Sequence, residues 1–225
     1  MKTPLYIVKF WGFPEYAEAH PIDIEYDFTI FERCPVCNER VTGGFWPRPR
    51  EVVLTKRNIP DFLPGVNDTT PFLLSEKALQ AIQSSGLTGI THIDEIEHVR
   101  FLRKSKKETP IPKYYRVELA RSRITIDHDR SVIIYGSSSN RKACPLCRQK
   151  PMCYDFTRSL SFHMEDYEGY DIFQIYEMGD TVFLSQRFVD FYKTSGLTNL
   201  RFGPAEKHGK EIAEYFLDGN ENVEI

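Results

Sequence analysis

The sequence contains no apolar run approaching the ~18 residues of a membrane-spanning helix, so no span is expected. Its opening residues, MKTPLYIVKFWGF, lack the apolar core and small-residue cleavage site of a secretory leader. There is no basic surplus: 29 Lys and Arg stand against 32 Asp and Glu, giving a net charge of −3 and a pI near 6.1. That disfavours a general nucleic-acid binder, which carries a basic face. Cysteine is sparse. Five occur in 225 residues, four of them in C-x-x-C pairs, which suits reduced, metal-binding or redox thiols and not a secreted disulfide framework. Phosphate-cradling glycine loops, H-E-x-x-H and G-x-S-x-G are all absent, so no catalytic residue is nominated. A cytoplasmic, non-enzymatic globular protein is the expectation.

What the chain does have is repetition. CPVCNER begins at Cys34 and CPLCRQK begins at Cys144, 110 residues later. Holding that offset from Cys34 to Ile90 gives 11 identities in 57 ungapped columns: Cys34, Pro35, Cys37, Arg48, Asp61, Leu74, Ser75, Ser85, Gly86, Leu87 and Thr88. Average residue usage would give about three.

The second block of identities spells a short helix with both ends written in. Ser75 and Ser185 are N-caps, and Leu74 and Leu184 before them can staple onto Leu79 and Val189. Gly86 and Gly196 supply the left-handed ending, after which Leu87 and Leu197 fold back. Helices are therefore expected over 75–85 and 185–195. LYIVKF and DIEYDFTIF in the first half, YYRVELA and SVIIYG in the second, and ITHIDEIEHVRF after the first helix read as strands. The expected fold is α+β and internally duplicated, each half strand-rich with a C-x-x-C knuckle and one capped helix. The seam falls in KSKKETPIPK, so the halves are 1–108 and 109–225, joined as one pseudo-symmetric unit.

Four thiolates complete a tetrahedral zinc site, and a C-x-x-C turn aims two of them at one point. The 106 residues between pairs exceed the spacing of a compact zinc ribbon, but a pseudo-two-fold axis would bring equivalent knuckles together. A shared structural Zn2+ site of Cys34, Cys37, Cys144 and Cys147 is one expectation; plain buried cysteines are another. Disulfide exchange fits less well, because Gly43-Gly44 and Pro151 argue against a helix after either pair. A nucleobase deaminase is excluded, since its H-x-E precedes P-C-x-x-C whereas His163-Met164-Glu165 follows Cys147. Cys153 reads as a small buried hydrophobe. His92 and His98 would share a face of one strand as solvated residues, and IDHDR (126–130) reads as a turn.

Duplicated CPxC pairs with a FLLSEKALQAIQSSGLTGI-type helix resemble the bacterial double-CXXCG motif proteins. The same helix is similar to that of a group of immunity proteins from polymorphic toxin systems. The resemblance implies a cytoplasmic protein that neutralises a cognate bacterial toxin by direct binding. The chain departs from the motif at its final glycine, where Asn38 and Arg148 stand; asparagine accepts a left-handed backbone far better than arginine.

One segment supports a binding role on its own residues. From Ser159 to Gln186 there are six acids and no Lys or Arg, with Tyr167, Tyr170 and Tyr176 interleaved. The equivalent stretch of the first half carries Arg50, Lys56 and Arg57. Acids mixed with tyrosine suit a basic protein partner. Glu165, Asp166, Tyr167, Glu168, Tyr170 and Asp171 are therefore the expected contact with a basic toxin. The alternative is a zinc-dependent nucleic-acid-binding or regulatory module using RFLRKSKK (100–107), a short run at the seam that a solvated linker explains better.

Overall fold

Both capped segments fold as their residues dictate. The Ser75 hydroxyl accepts from the Ala78 N–H at 3.1 Å, and that of Ser185 accepts from Phe188 at 3.1 Å. The helices they open span Glu76–Ser84 (α1) and Gln186–Ser195 (α2). A left-handed glycine follows each, Gly86 at φ +67° and Gly196 at φ +66°. Helices of nine or ten residues do not persist alone in water, so packing must hold them.

The computed structural model describes residues 4–8, 15–22, 34–38, 46, 48–67, 70–103, 110–135, 144–145 and 154–207. In chain order the strands before α1 are β1 (Leu5–Val8), β2 (Ala19–Pro21), β3 (Glu51–Leu54), β4 (Phe62–Asn67) and β5 (Thr70–Ser75). Between the helices come β6 (Ile90–Glu95), β7 (His98–Phe101), β8 (Tyr114–Ser122), β9 (Thr125–Ile126), β10 (Val132–Tyr135) and β11 (Tyr154–Ser159). Then follow β12 (Phe162–His163), β13 (Ile172–Ile175) and β14 (Met178–Ser185), with β15 (Phe202–Pro204) after α2. The fold class is α+β, as expected.

The main sheet runs β15-β1-β14-β13-β8-β5-β4, with β6 also paired to β8. Smaller sheets are β2-β3-β7, β9-β12 and β10-β11. Both faces of the main sheet are covered, which is why β1 is apolar and buried at all four positions. Tyr6 and Val8 face the helices, sharing a core with Leu74, Ile82, Leu184 and Phe188. Leu5 and Ile7 face the other way, onto Ile126, Phe173 and Phe183. A third core joins Leu63 and Leu73 to Val52 and Leu54 of the β2-β3-β7 sheet.

The strand pairing crosses between the halves of the chain. β1 lies between β14 and β15, with Tyr6 opposite Leu184 and Pro204. β8 lies between β5 and β6, with Tyr115 opposite Leu74 and Glu95. Each residue of the second set stands 109 or 110 positions from its counterpart in the first. Thus each half's leading strand is held by the other half's hairpin and post-helix strand.

Two buried carboxylates close the crossing, again 110 residues apart. Asp61 takes the Ser75 hydroxyl at 2.8 Å, orienting its own half's cap. Its second oxygen takes the N–H and hydroxyl of Thr198 at 3.0 and 3.1 Å, from the other half's Gly-Leu-Thr. Asp171 repeats this with Ser185 at 2.8 Å and with Thr88 at 2.9 and 3.2 Å. A cation completes each node. Lys77 bridges Asp61 to the Gly196 carbonyl, and Arg187 bridges Asp171 to the carbonyls of Ser85 and Gly86. Positive charge at a helix C-terminus is favourable in itself. Gly89 lets the chains approach: a Cβ there would sit 1.8 Å from the Ile172 carbonyl oxygen. Its counterpart Asn199 instead donates its side-chain amide to the Phe62 carbonyl at 2.7 Å.

One strand expectation needs correction. ITHIDEIEHVRF is two strands in two sheets, β6 on β8 and β7 on β3. Ile96 turns inward and donates its N–H to the Tyr114 carbonyl, while Glu97 accepts from the Arg50 N–H at 2.7 Å. His92 and His98 therefore do not share a strand face. IDHDR is a turn as read, since the Asp127 carboxylate accepts from the N–H groups of Asp129 and Arg130. DIEYDFTIF and residues 104–109 of the seam lie outside the described residues.

The crossing makes a quantitative expectation. Asp171→Ala leaves a buried cap hydroxyl, two Thr88 donors and Arg187 without their acceptor, and should cost about 3–5 kcal/mol. Thr88→Val removes only the hydroxyl bond and should cost about 1–2 kcal/mol. Urea unfolding of both variants checks the order; equal, small effects would mean the carboxylate does not hold the halves.

Candidate functional site

The CPVC segment forms a turn over Pro35–Cys37, closed by the Asn38 N–H donating to the Cys34 carbonyl at 2.8 Å. Asn38 adopts φ +61°, the left-handed conformation for which the missing glycine would have been suited. Across 110 residues of sequence, Cys144 meets this turn: the Sγ atoms of Cys34 and Cys144 are 3.7 Å apart. The thiol sulfurs of Cys34, Cys37 and Cys144 all lie within 4.8 Å of one another. Four sulfurs bound at about 2.3 Å to one tetrahedral ion stand ~3.8 Å apart along its edges. A disulfide would need ~2.0 Å. The donor set therefore fits a soft metal ion. Cys147, the fourth expected ligand, lies outside the described residues, as does Cys153.

Local electrostatics favour thiolate. The Cys34 thiol is lowered to about 6, chiefly by the Cys37 backbone N–H, then against burial by the Val36 N–H and the Cys37 and Cys144 side chains. The thiolate is the form a metal binds.

The acidic segment divides into groups with different duties. Glu165 and Asp166 are exposed; the Glu165 side chain is 73% accessible, with exposed His163 at 3.7 Å. Glu168 is committed: it accepts from the Ser122 hydroxyl at 2.5 Å and the Arg123 N–H at 3.1 Å. Tyr167 packs on Phe173, its hydroxyl donating to the Tyr170 carbonyl. Burial, then the charges of Asp171 and Glu168, push its phenol up to about 12, so it stays a neutral donor. Asp171 and Glu177 correct the sequence reading. Asp171 is 2% exposed and occupied at the crossing, and buried Glu177 accepts from the Ile126 N–H at 2.8 Å. Both carboxylates are satisfied inside the fold.

A second charged cluster was not singled out from sequence. Arg50 and Arg116, both buried, converge on Asp94 at 3.0 and 3.2 Å. Arg48 bonds Glu97 at 3.2 Å, and His92 lies 3.3 Å from Asp94. Burial opposes the charge on Asp94, but Arg50, His92 and Arg116 together keep its pKa below the ordinary carboxylate value. Three arginines against Asp94, Glu97 and Glu118 make the cluster nearly neutral. Its residues arrive from separate strands, and no sequence motif marks them.

A protein-family model described as Immunity protein family (Imm11) matches residues 50–207. The match takes in both helices, both carboxylates and Cys144, and leaves out Cys34 and Cys37. No curated protein matches the chain. Among the described residues, no helix is long and apolar enough to cross a membrane.

The thiol cluster should be measurable directly. Purified protein should carry about one metal ion per chain, and a strong chelator should lower its melting temperature. Cys34→Ser and Cys144→Ser should each reduce metal content; stoichiometric metal in both variants, or none in the native chain, would exclude the site.

Proposed function

The chain belongs to the Imm11 immunity-protein family, and from that premise we propose how it engages its toxin. Its function is immunity by protein binding, not catalysis. The contact is centred on Glu165 and Asp166, with Tyr170 and the outer edges of Tyr167 and Glu168 completing it. The observation that carries the proposal is a braced loop bearing uncommitted charge. Tyr167 and Glu168 tie residues 164–171 to Phe173, Ser122 and Arg123, while the two acids stay in solvent. Little ordering cost is then paid on association. Exposed acids beside tyrosine favour a basic surface on the toxin.

Three further elements belong to this reading. Zn2+ is the metal, held by Cys34, Cys37, Cys144 and Cys147 and structural in role, because thiolate sets of this kind select it. The chain is an internal duplication of 1–108 and 109–225; the recurring pairings and the two carboxylate nodes support it. The cytoplasm is its compartment, consistent with reduced cysteines and the absence of any disulfide among the described residues.

The test is a double reversal, Glu165→Lys with Asp166→Lys, leaving committed Glu168 in place. Association with the toxin should slow about tenfold at low salt, and high salt should narrow the difference. Stability should change by no more than about 0.5 kcal/mol. Unchanged association and unchanged protection of cells by a folded variant would remove this loop from the interface.

A further inference from the structure

We propose that Cys34 and Cys144 join in a reversible disulfide when the chain meets a hydroperoxide, which makes the tie between residues 34–37 and Cys144 covalent. The inference rests on the sulfur contact and needs neither a bound metal nor toxin binding. Cys34, Cys37 and Cys144 are in no disulfide in the structure. The Cys34 and Cys144 sulfurs nevertheless touch at 3.7 Å, with 110 residues of sequence between them. A bond of about 2.0 Å needs them to approach by about 1.7 Å more. The Cys34 side is held for that approach, because the Asn38 N–H closes its turn on the Cys34 carbonyl at 2.8 Å. A bound metal would occupy the same two sulfurs, so the two ties exclude one another.

The second sulfur decides the product. The Cys34 sulfur attacks one peroxide oxygen and the O–O bond breaks. The departing hydroxide takes the thiol proton as water, and a sulfenic acid remains. The Cys144 sulfur then attacks the Cys34 sulfur: the S–S bond forms, the S–O bond breaks, and the hydroxide released takes the Cys144 proton as a second water. Two thiols have lost two electrons and one peroxide has gained them. With Cys144 in contact, the sulfenic acid is consumed before a second peroxide carries it to sulfinic acid. Burial selects Cys144 over Cys37 as the partner. The disulfide has no S–H left to satisfy, which suits Cys34 and Cys144, both buried, better than half-buried Cys37. The oxidant has a short way in, since Pro35 and Val36 of the same turn are exposed.

Peptide mapping of the full chain tests this. The folded protein is reduced, stripped of metal with a chelator and treated with hydrogen peroxide; remaining thiols are alkylated before trypsin is applied without reductant. CPVCNER (34–40) and ACPLCR (143–148) should be recovered joined, with fragmentation placing the bond between Cys34 and Cys144. Dithiothreitol should separate them and restore both thiols. A chain carrying Cys37→Ser, Cys147→Ser and Cys153→Ser should form the same link. The oxidised protein should unfold at higher urea than the reduced one, because the bond closes a long loop in the unfolded chain. Cys144→Ser should remove both the link and that gain. A bond inside either peptide, a link through Cys37, or a Cys34 sulfinic acid that dithiothreitol leaves unchanged would each overturn the proposal. The Cys34–Cys144 link in a chain that purifies without metal would uphold it while the metal site fell.

Discussion

Asp61 and Asp171 are the interactions on which the remaining architecture depends. A carboxylate is costly to bury unless its lone pairs are filled, and here each takes donors from both ends of the chain. One oxygen sets a helix start; the other receives the tail of the opposite helix. Arg187 and Lys77 then spread positive charge over helix-end carbonyls that would otherwise lack a partner. The arrangement also reaches the loop proposed for toxin contact. Residues 164–171 end on Asp171, so the exposed acids are presented from a segment anchored at the most constrained point of the fold.

The thiol cluster is a separate tie. It joins residues 34–37 to Cys144 without using the main sheet, whose own crossing is made by β1 and β8. The family match covers residues 50–207, which hold both helices and both carboxylates and leave out Cys34 and Cys37. Metal at the thiol cluster would tie residues 34–37 to Cys144, whereas the loop proposed for toxin contact lies within the matched residues.

Much of the local structure was legible in the residues. Ser75, Gly86 and their counterparts state helix boundaries through backbone conformation alone, so the reading needs no tertiary knowledge. Thr88 and Asp61 were visible as repeated identities, but not as bonding partners. Their acceptors and donors come from the other half of the chain, 83 and 137 positions away, and no local rule points that far. The acidic segment misled for a related reason. Counting charge cannot tell a solvated carboxylate such as Asp166 from one consumed internally, such as Asp171 or Glu177. ITHIDEIEHVRF kept its alternation through a bend, because Ile96 continues the buried pattern while passing from one sheet to another. The convergence of Cys34 with Cys144 was readable only because the repeat supplied a symmetry argument.

The crossed pairing of β1 and β8 bears on how the chain comes to be folded at all. On a ribosome, β5 emerges with β4 as its one strand neighbour among the described residues, and β6 with none, until β8 follows. β1 waits longest, since its two partners are β14 and β15, near the other end of the described chain. Among the described residues, β1 and β6 find strand partners only in the other half of the chain. Contacts this distant in sequence make folding slow and leave apolar strands open to other nascent copies meanwhile. The main sheet is therefore complete only once β15, at Phe202–Pro204, has been made.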